Sequence, residues 1–147
     1  MSLLLVAVQF VLVLLVALPL PAIILRLPAF IVLLASGIML GAWTLLHNRM
    51  GNFNIRPDPK VGGHLVTSGP YAYIRHPMYS ALMLFMSAFV VAAGAEIKIL
   101  YWLLLLAVLW VKSSVEETML AKKFPEYGAY QQRTGRFLPR LSSRSSA

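Results

Sequence analysis

Four long apolar stretches divide this chain, and the segment between the second and third is of a different kind. Residues 3–20 are almost unbroken apolar sequence, with Gln9 the one polar interruption. A bilayer core is crossed by about 20 apolar residues, within a range of roughly 17–25, so this stretch predicts a transmembrane helix. The rival is a cleaved signal peptide, which carries a basic start and a small-residue cleavage site. No Lys or Arg precedes Arg26, so the helix is expected to be retained. Pro19, Pro21 and Pro28 follow. Proline inside a helix removes a hydrogen bond and clashes with the preceding turn, which puts the first turn-around near 20–27. Pro28 suits the first turn of a second helix, expected over 28–47. Gly37 and Gly41 form a small-xxx-small pair in it, which lets a neighbouring helix approach closely. Ordinary tight packing is the simpler reading of that pair than dimerisation.

Residues 48–75 break the pattern with Gly51, Pro57, Pro59, Gly62, Gly63, Gly69 and Pro70. Long loops in small proteins are uncommon and are usually functional or disordered. Phe53, Ile55, Leu65, Val66, Tyr71 and Tyr73 are interspersed here, which predicts an ordered cap on the membrane face. A third helix is expected over 76–93, a tight turn at Gly94-Ala95-Glu96, and a fourth helix over 97–120. The fourth would be roughly 36 Å long, more than a hydrocarbon core of ~30 Å. Its last turns, with Lys112, Glu116 and Glu117, should therefore stand at the interface or beyond it. Residues 121–140 form a basic, aromatic tail expected to pack on the same face, and 142–147 are expected to be disordered. The predicted fold is a single all-α membrane domain: four transmembrane helices, an ordered cytoplasmic loop and a basic C-terminal tail.

Composition strengthens this picture. The 147 residues are 59% hydrophobic and 12% charged, and mean hydropathy is +0.76. Ordinary soluble domains are about half apolar and a quarter charged, and one of this size could not hide so much apolar surface from water. There are no cysteines, which excludes thiol nucleophiles, disulfides and Cys-ligated metals. His47, His64 and His76 lack the spacing of a helical metal site, so no metal is expected.

The net charge of +8 would suggest nucleic acid in a soluble protein, but here the basic residues flank apolar segments. Arg49, Arg56, Lys60 and Arg75 lie in the long loop. Seven more, Lys112, Lys122, Lys123, Arg133, Arg136, Arg140 and Arg144, run from the last turns of the fourth helix onward. Only Arg26 and Lys98 of the 13 remain for the other side. By the positive-inside rule, the loop and both termini are cytoplasmic and the partner is the bilayer rather than nucleic acid.

Candidate chemistry collects on that side. In LVTSGPYAYIRHPMY (65–79), Gly69-Pro70 sets a turn, Pro77 presets a helix start, and His76 is extended or at the cap. A helix N-terminus offers unpaired N–H groups and a positive dipole end, a ready site for a carboxylate. Tyr71, Tyr73 and Tyr79 add flat faces and hydroxyls. The alternative for these residues is a membrane-interface belt, where Tyr and Arg are common. Lys112 and Glu116, four apart, share a helix face; the plainest reading is a surface ion pair. Yet Glu116 and Glu117 are two of only five acids, and ionisable residues at the end of a membrane helix are functional candidates.

The order LVTSGPYAYIRHPMY, an apolar hairpin, then EETMLAKKFPEYGAYQQRTGRFLP resembles the isoprenylcysteine carboxyl methyltransferase family and, more broadly, the integral-membrane phospholipid methyltransferases. The resemblance spans roughly residues 50–140. It implies S-adenosylmethionine as methyl donor, bound by Gly63, His64, Leu65, Val66, Tyr71, His76, Pro77, Met78, Tyr79 and Glu116. It implies Lys112 as the substrate-binding residue, while Glu116 and Glu117 are the catalytic candidates, either able to act as base toward an amine acceptor. Eukaryotic relatives carry Arg at the position of Lys112, and Lys lacks the planar bidentate grip of Arg on a carboxylate. The acceptor is left open between a prenylated cysteine, a phospholipid amine and a small lipophilic acid. The short polytopic form suggests a bacterial inner membrane. Two other classes stay open: an NADPH-binding reductase similar to membrane sterol reductases, and a non-enzymatic scaffold whose basic tail binds anionic lipid or a partner.

Overall fold

The computed structural model describes residues 2–18, 27–48 and 65–140. The first turn-around, most of the long loop with Gly63 and His64, and the tail at 142–147 lie outside the described residues. Those described form five α-helices: α1 (Ser2–Ala17), α2 (Leu27–His47), α3 (Pro77–Ala93), α4 (Glu96–Lys123) and α5 (Tyr127–Arg133). A 3-10 turn, Gly69–Ala72, precedes α3. No β-strand forms among them, only an isolated parallel bridge between Ile74 and Gly135.

The helix ends follow local chemistry. The first helix stops at Ala17, short of the expected residue 20, because proline at 19 disfavours helical backbone in the residue before it. At the start of α3, His76 is the N-cap and Pro77 the first helical residue. The end of α3 needs Gly94, whose φ of 61° is left-handed and whose N–H returns to the Val90 carbonyl. The fourth helix outruns its expected end at 120 and continues to Lys123. Lys122 and Lys123 favour that extra turn by meeting the negative end of the helix dipole, and Phe124 then leaves in extended backbone ahead of Pro125.

Pro28–His47 and Glu96–Lys123 are long and apolar enough to cross a membrane, while Leu3–Ala17 and Pro77–Ala93 are apolar but shorter. Packing sorts the four into two antiparallel pairs, α2 with α3 and α1 with α4, which meet more sparsely along α3 and α4. Gly37 makes the first pair possible. A Cβ there would lie 2.7 Å from the Phe85 nitrogen and 2.9 Å from the Ala81 carbonyl oxygen. Gly41 is less demanding, since its added Cβ would make an ordinary 3.6 Å contact with Ala81. The second pair is tied by two lysines: Lys98 Nζ donates to the Val16 carbonyl at 2.8 Å near one end, and Lys112 Nζ donates to Gln9 Oε1 at 2.8 Å midway along α1.

Leu12, Val16, Met83, Met86, Leu105 and Leu109 form the core. Outward faces stay apolar: Met39, Trp43 and Leu46 on α2, and Leu100, Leu103, Leu104 and Trp110 on α4, are exposed. In water such a surface would be an aggregation liability; in lipid it is the expected exterior.

The stretch after α4 is more than a tail. Beyond α5 the chain doubles back on the residues preceding α3. Gly135 N–H donates to the Tyr73 carbonyl (3.1 Å), Arg75 N–H to Gly135 (2.8 Å) and His76 N–H to Arg136 (3.1 Å). Ser80 Oγ donates to the Phe137 carbonyl at 2.6 Å. Only glycine fits at 135, since a Cβ would fall 1.7 Å from the Leu138 oxygen.

Candidate active site

The start of α3 and the last turns of α4 lie at the same end of the bundle, and His76 joins them. Its Nδ1 is 3.2 Å from Glu116 Oε2, and its Nε2 is 3.1 Å from Glu117 Oε1. A carboxylate accepts hydrogen bonds, and one faces each ring nitrogen, an arrangement that favours the doubly protonated imidazolium. Burial opposes that charge, but hydrogen bonds to Glu116 and Glu117, with their negative charge, outweigh it and raise His76 above 6.5.

The two glutamates are adjacent, so they leave the helix about 100° apart and enter different surroundings. Glu117 is buried. Its Oε1 accepts from Arg75 Nε at 2.8 Å as well as from His76. Its Oε2 accepts from Gln131 Nε2 and an Arg136 guanidinium nitrogen, both at 2.9 Å. Four donors thus commit both oxygens. Arg75 also donates to the carbonyls of Gln131 and Thr134. Glu116 is less enclosed and faces the other way, accepting from the Tyr79 hydroxyl at 2.5 Å besides His76. That distance is normal for a hydroxyl bonded to a carboxylate.

Aromatic rings surround the pair. The His76 and Tyr79 rings stack with centroids 5.5 Å apart. Tyr71 is half-buried in the 3-10 turn, and its carbonyl accepts from the Tyr130 hydroxyl at 2.7 Å. Burial first, and the charge of Glu116 second, push the Tyr71 hydroxyl up to about 12, so it remains a donor at neutral pH. Lys112 is 2% exposed. It turns away from Glu116 to Gln9, and its Nζ lies 5.3 Å from the centre of the Tyr79 ring. The simple surface pair expected between Lys112 and Glu116 is replaced by a buried link between α4 and α1.

Of the residues singled out in the sequence, the structure brings together Tyr71, His76, Tyr79, Glu116 and Glu117, with Lys112 behind Tyr79. Pro77 and Met78 form the first turn of α3, and Leu65 and Val66 are half-buried at the head of the described loop segment. Gln9, Arg75, Gln131 and Arg136 were missed as site residues. Arg75 sits inside the RHPxY motif, and two neighbouring acids beside a single His already called for further cations. Nothing local marked Gln9 or Arg136 as neighbours of α4.

The imidazolium has a measurable consequence. Because the folded pKa of His76 exceeds its unfolded value, its stabilising contribution is complete below about pH 6.5 and fades as pH rises through the folded value. Facing it are Glu116 and Glu117 from α4, Tyr79 from α3 and, through Glu117, Arg75 and Arg136. Thermal melts from about pH 6 to about pH 9 should show the wild type losing stability with rising pH and His76→Gln lacking that loss. Parallel curves would refute the charged ring.

An all-helical apolar bundle with charged and aromatic side chains gathered at one end is the class that this fold and site define. The sequence matches the phospholipid methyltransferase family over residues 25–127, and the chain belongs to that family. The cobalt-zinc-cadmium resistance protein CzcN of Cupriavidus metallidurans is 37% identical over 83 residues, which is 53% of this chain and 37% of that protein. The nickel-cobalt-cadmium resistance protein NccN of Alcaligenes xylosoxydans xylosoxydans is 38% identical over 81 residues, with the same shares. The matched region is thus little more than a third of either relative. No solved structure matches. Among the described residues, no group of three His, Cys, Asp or Glu side chains is placed to hold a metal ion.

Proposed function

We propose that the protein transfers a methyl group from S-adenosylmethionine to a lipophilic acceptor, a carboxylate or an amine, at the cytoplasmic face of a membrane. The observation that carries this is the meeting of His76, Tyr79 and Glu116 within hydrogen-bonding distance across α3 and α4. Family membership supports the reaction class. All four long helices cross the membrane in this reading. At roughly 24–26 Å, α1 and α3 reach most of a ~30 Å core. The excess of Lys and Arg from Lys112 onward and in the long loop favours cytoplasmic termini, in a bacterial inner membrane.

The donor set fits the cofactor. Glu116 has one protein partner on each oxygen and so keeps lone pairs for an ammonium. The Tyr71 and Tyr79 hydroxyls and rings suit a ribose and a purine. His76, Pro77 and Met78 at the start of α3 would complete the contact, with Leu65 and Val66 and, outside the described residues, Gly63 and His64. S-adenosylmethionine supplies an electrophilic methyl carbon on a sulfonium. The chain's part is placement, which can lower a barrier by up to ~7–11 kcal/mol when geometry is right. A carboxylate acceptor needs no base. An amine must lose a proton, and Glu116 would take it, because both oxygens of Glu117 are committed to the protein. Glu117 is then a positioning residue that fixes His76 and Arg136. Lys112, held by Gln9 and close to the Tyr79 ring, would be the residue that meets the acceptor.

Purified protein given methyl-labelled S-adenosylmethionine and total membrane lipid should yield label in the lipid extract, and calorimetry should register the cofactor but not NADPH. No label together with no cofactor binding would end this reading.

A further inference from the structure

The two helix pairs meet along α3 and α4, and one ring bridges that seam at the depth of the site. Phe137 lies edge-on to His76 (centroids 6.1 Å), Tyr79 (6.3 Å) and Trp110 (5.9 Å). Its backbone has little freedom, since its carbonyl is held by Ser80. The residue before it is fixed more firmly. Arg136 lies along one stripe of α4, with its guanidinium 4.4 Å from the centre of the Trp110 ring, 2.8 Å from Ser114 Oγ and 2.9 Å from Glu117.

Trp110 is 53% exposed, on an apolar surface shared with Leu103 and Val111. Three rings therefore run in series from the outer surface to Glu116: Trp110, Phe137 and Tyr79. The first is the most exposed and the other two are half-buried, and only the last carries a hydroxyl bonded to Glu116. Phe137 is the middle ring. It lies beyond residues 25–127, the part that the family model matches.

We propose that Phe137 is the gate ring at the α3–α4 seam, deciding whether the hydrocarbon chain of an acceptor that comes in from the bilayer reaches Tyr79. The proposal rests on the acceptor being lipophilic, as argued above. The chemistry of the path selects for it. A polar molecule crossing between these rings would lose hydration without hydrogen bonds in return, whereas an alkyl or prenyl chain exchanges one apolar surrounding for another. Arg136, at the level of the gate and stacked on Trp110, keeps a cation where the polar head of such a molecule would stand.

The test uses full-length protein in nanodiscs containing a phosphatidylcholine with a diazirine on its acyl chain. After photolysis, mass spectrometry compares adducts on the Tyr79 peptide with those on the Trp110 peptide. Wild type should label Trp110 and leave Tyr79 nearly clean. Phe137→Ala should raise the Tyr79-to-Trp110 ratio roughly tenfold, as expected when a minor open population becomes the major one. Phe137→Leu should lie between them and Phe137→Trp at or below wild type, and these two keep the test alive should the alanine variant misfold. Equal ratios in all variants, or strong Tyr79 labelling in wild type, would overturn the gate. Since no methyl donor is present, the gate can fail while methyl transfer survives, and the reverse holds equally.

Discussion

Glu117→Ala is expected to cost about 3–5 kcal/mol of stability, the loss typical when one partner of a buried ion pair is removed. The reason is the company this carboxylate keeps. Arg75, His76 and Arg136 all direct cationic nitrogens at it, and the side chain is only 5% exposed. Without it, three positive groups face one another with little water to screen them. The damage should spread beyond the pair. Arg75 holds the Gln131 and Thr134 carbonyls, and Arg136 precedes Phe137, so the return of the chain onto α3 should loosen. Thermal denaturation of the purified variant, with hydrogen exchange read at residues 134–138, checks this. Wild-type stability would mean that the four donors matter less than their geometry implies.

Glu116→Ala, one residue earlier, should do nearly the opposite. It removes two hydrogen bonds rather than four, from a less enclosed group, so folding and insertion should survive. Cofactor binding should not. A hydrogen bond to a charged group contributes about 1.5–3 kcal/mol, so losing the carboxylate that would hold an ammonium weakens affinity by roughly 10–150-fold. To this is added the loss of the anion that orients His76 and Tyr79. His76→Ala should also abolish measurable binding, since it removes the group joining the two helices. Calorimetry with S-adenosylmethionine on each variant, alongside size-exclusion profiles, separates these outcomes. Wild-type affinity in both would refute the assignment of this cluster to the cofactor.

Much of the architecture was legible because long apolar helices announce themselves locally. The second and third helices begin and end within a residue or so of where proline and glycine put them. The first was drawn too long because residues 18–20 are as apolar as those before them, and apolarity alone does not register the backbone restriction set by Pro19. The fourth was drawn too short because Lys122 and Lys123 look like an ending by hydropathy, although cations favour the last helical turn.

The candidate site was legible where its parts share a motif. His76 and Tyr79 are three apart at a helix start, and Glu116 and Glu117 are adjacent. What brings them together is not local. Arg136 is 61 positions from Arg75, yet both bind Glu117. Gln9 looked like a blemish in an apolar helix, because the buried lysine it meets lies 103 positions away. A single sequence gives the face on which a residue sits, but not which distant face it will meet. For the same reason the adjacent glutamates looked interchangeable, although the roughly 100° between successive residues of α4 gives them different neighbours.

The pairing of residues 134–137 with the segment around Ile74 also bears on the order of assembly. This stretch is synthesised after all four long helices. Until it arrives, Glu117 lacks the amide of Gln131 and one of its two guanidinium partners. Both α3 and α4 can therefore be formed while the cluster between them is still incomplete, so the site depends on a late return of the chain rather than on the helices alone.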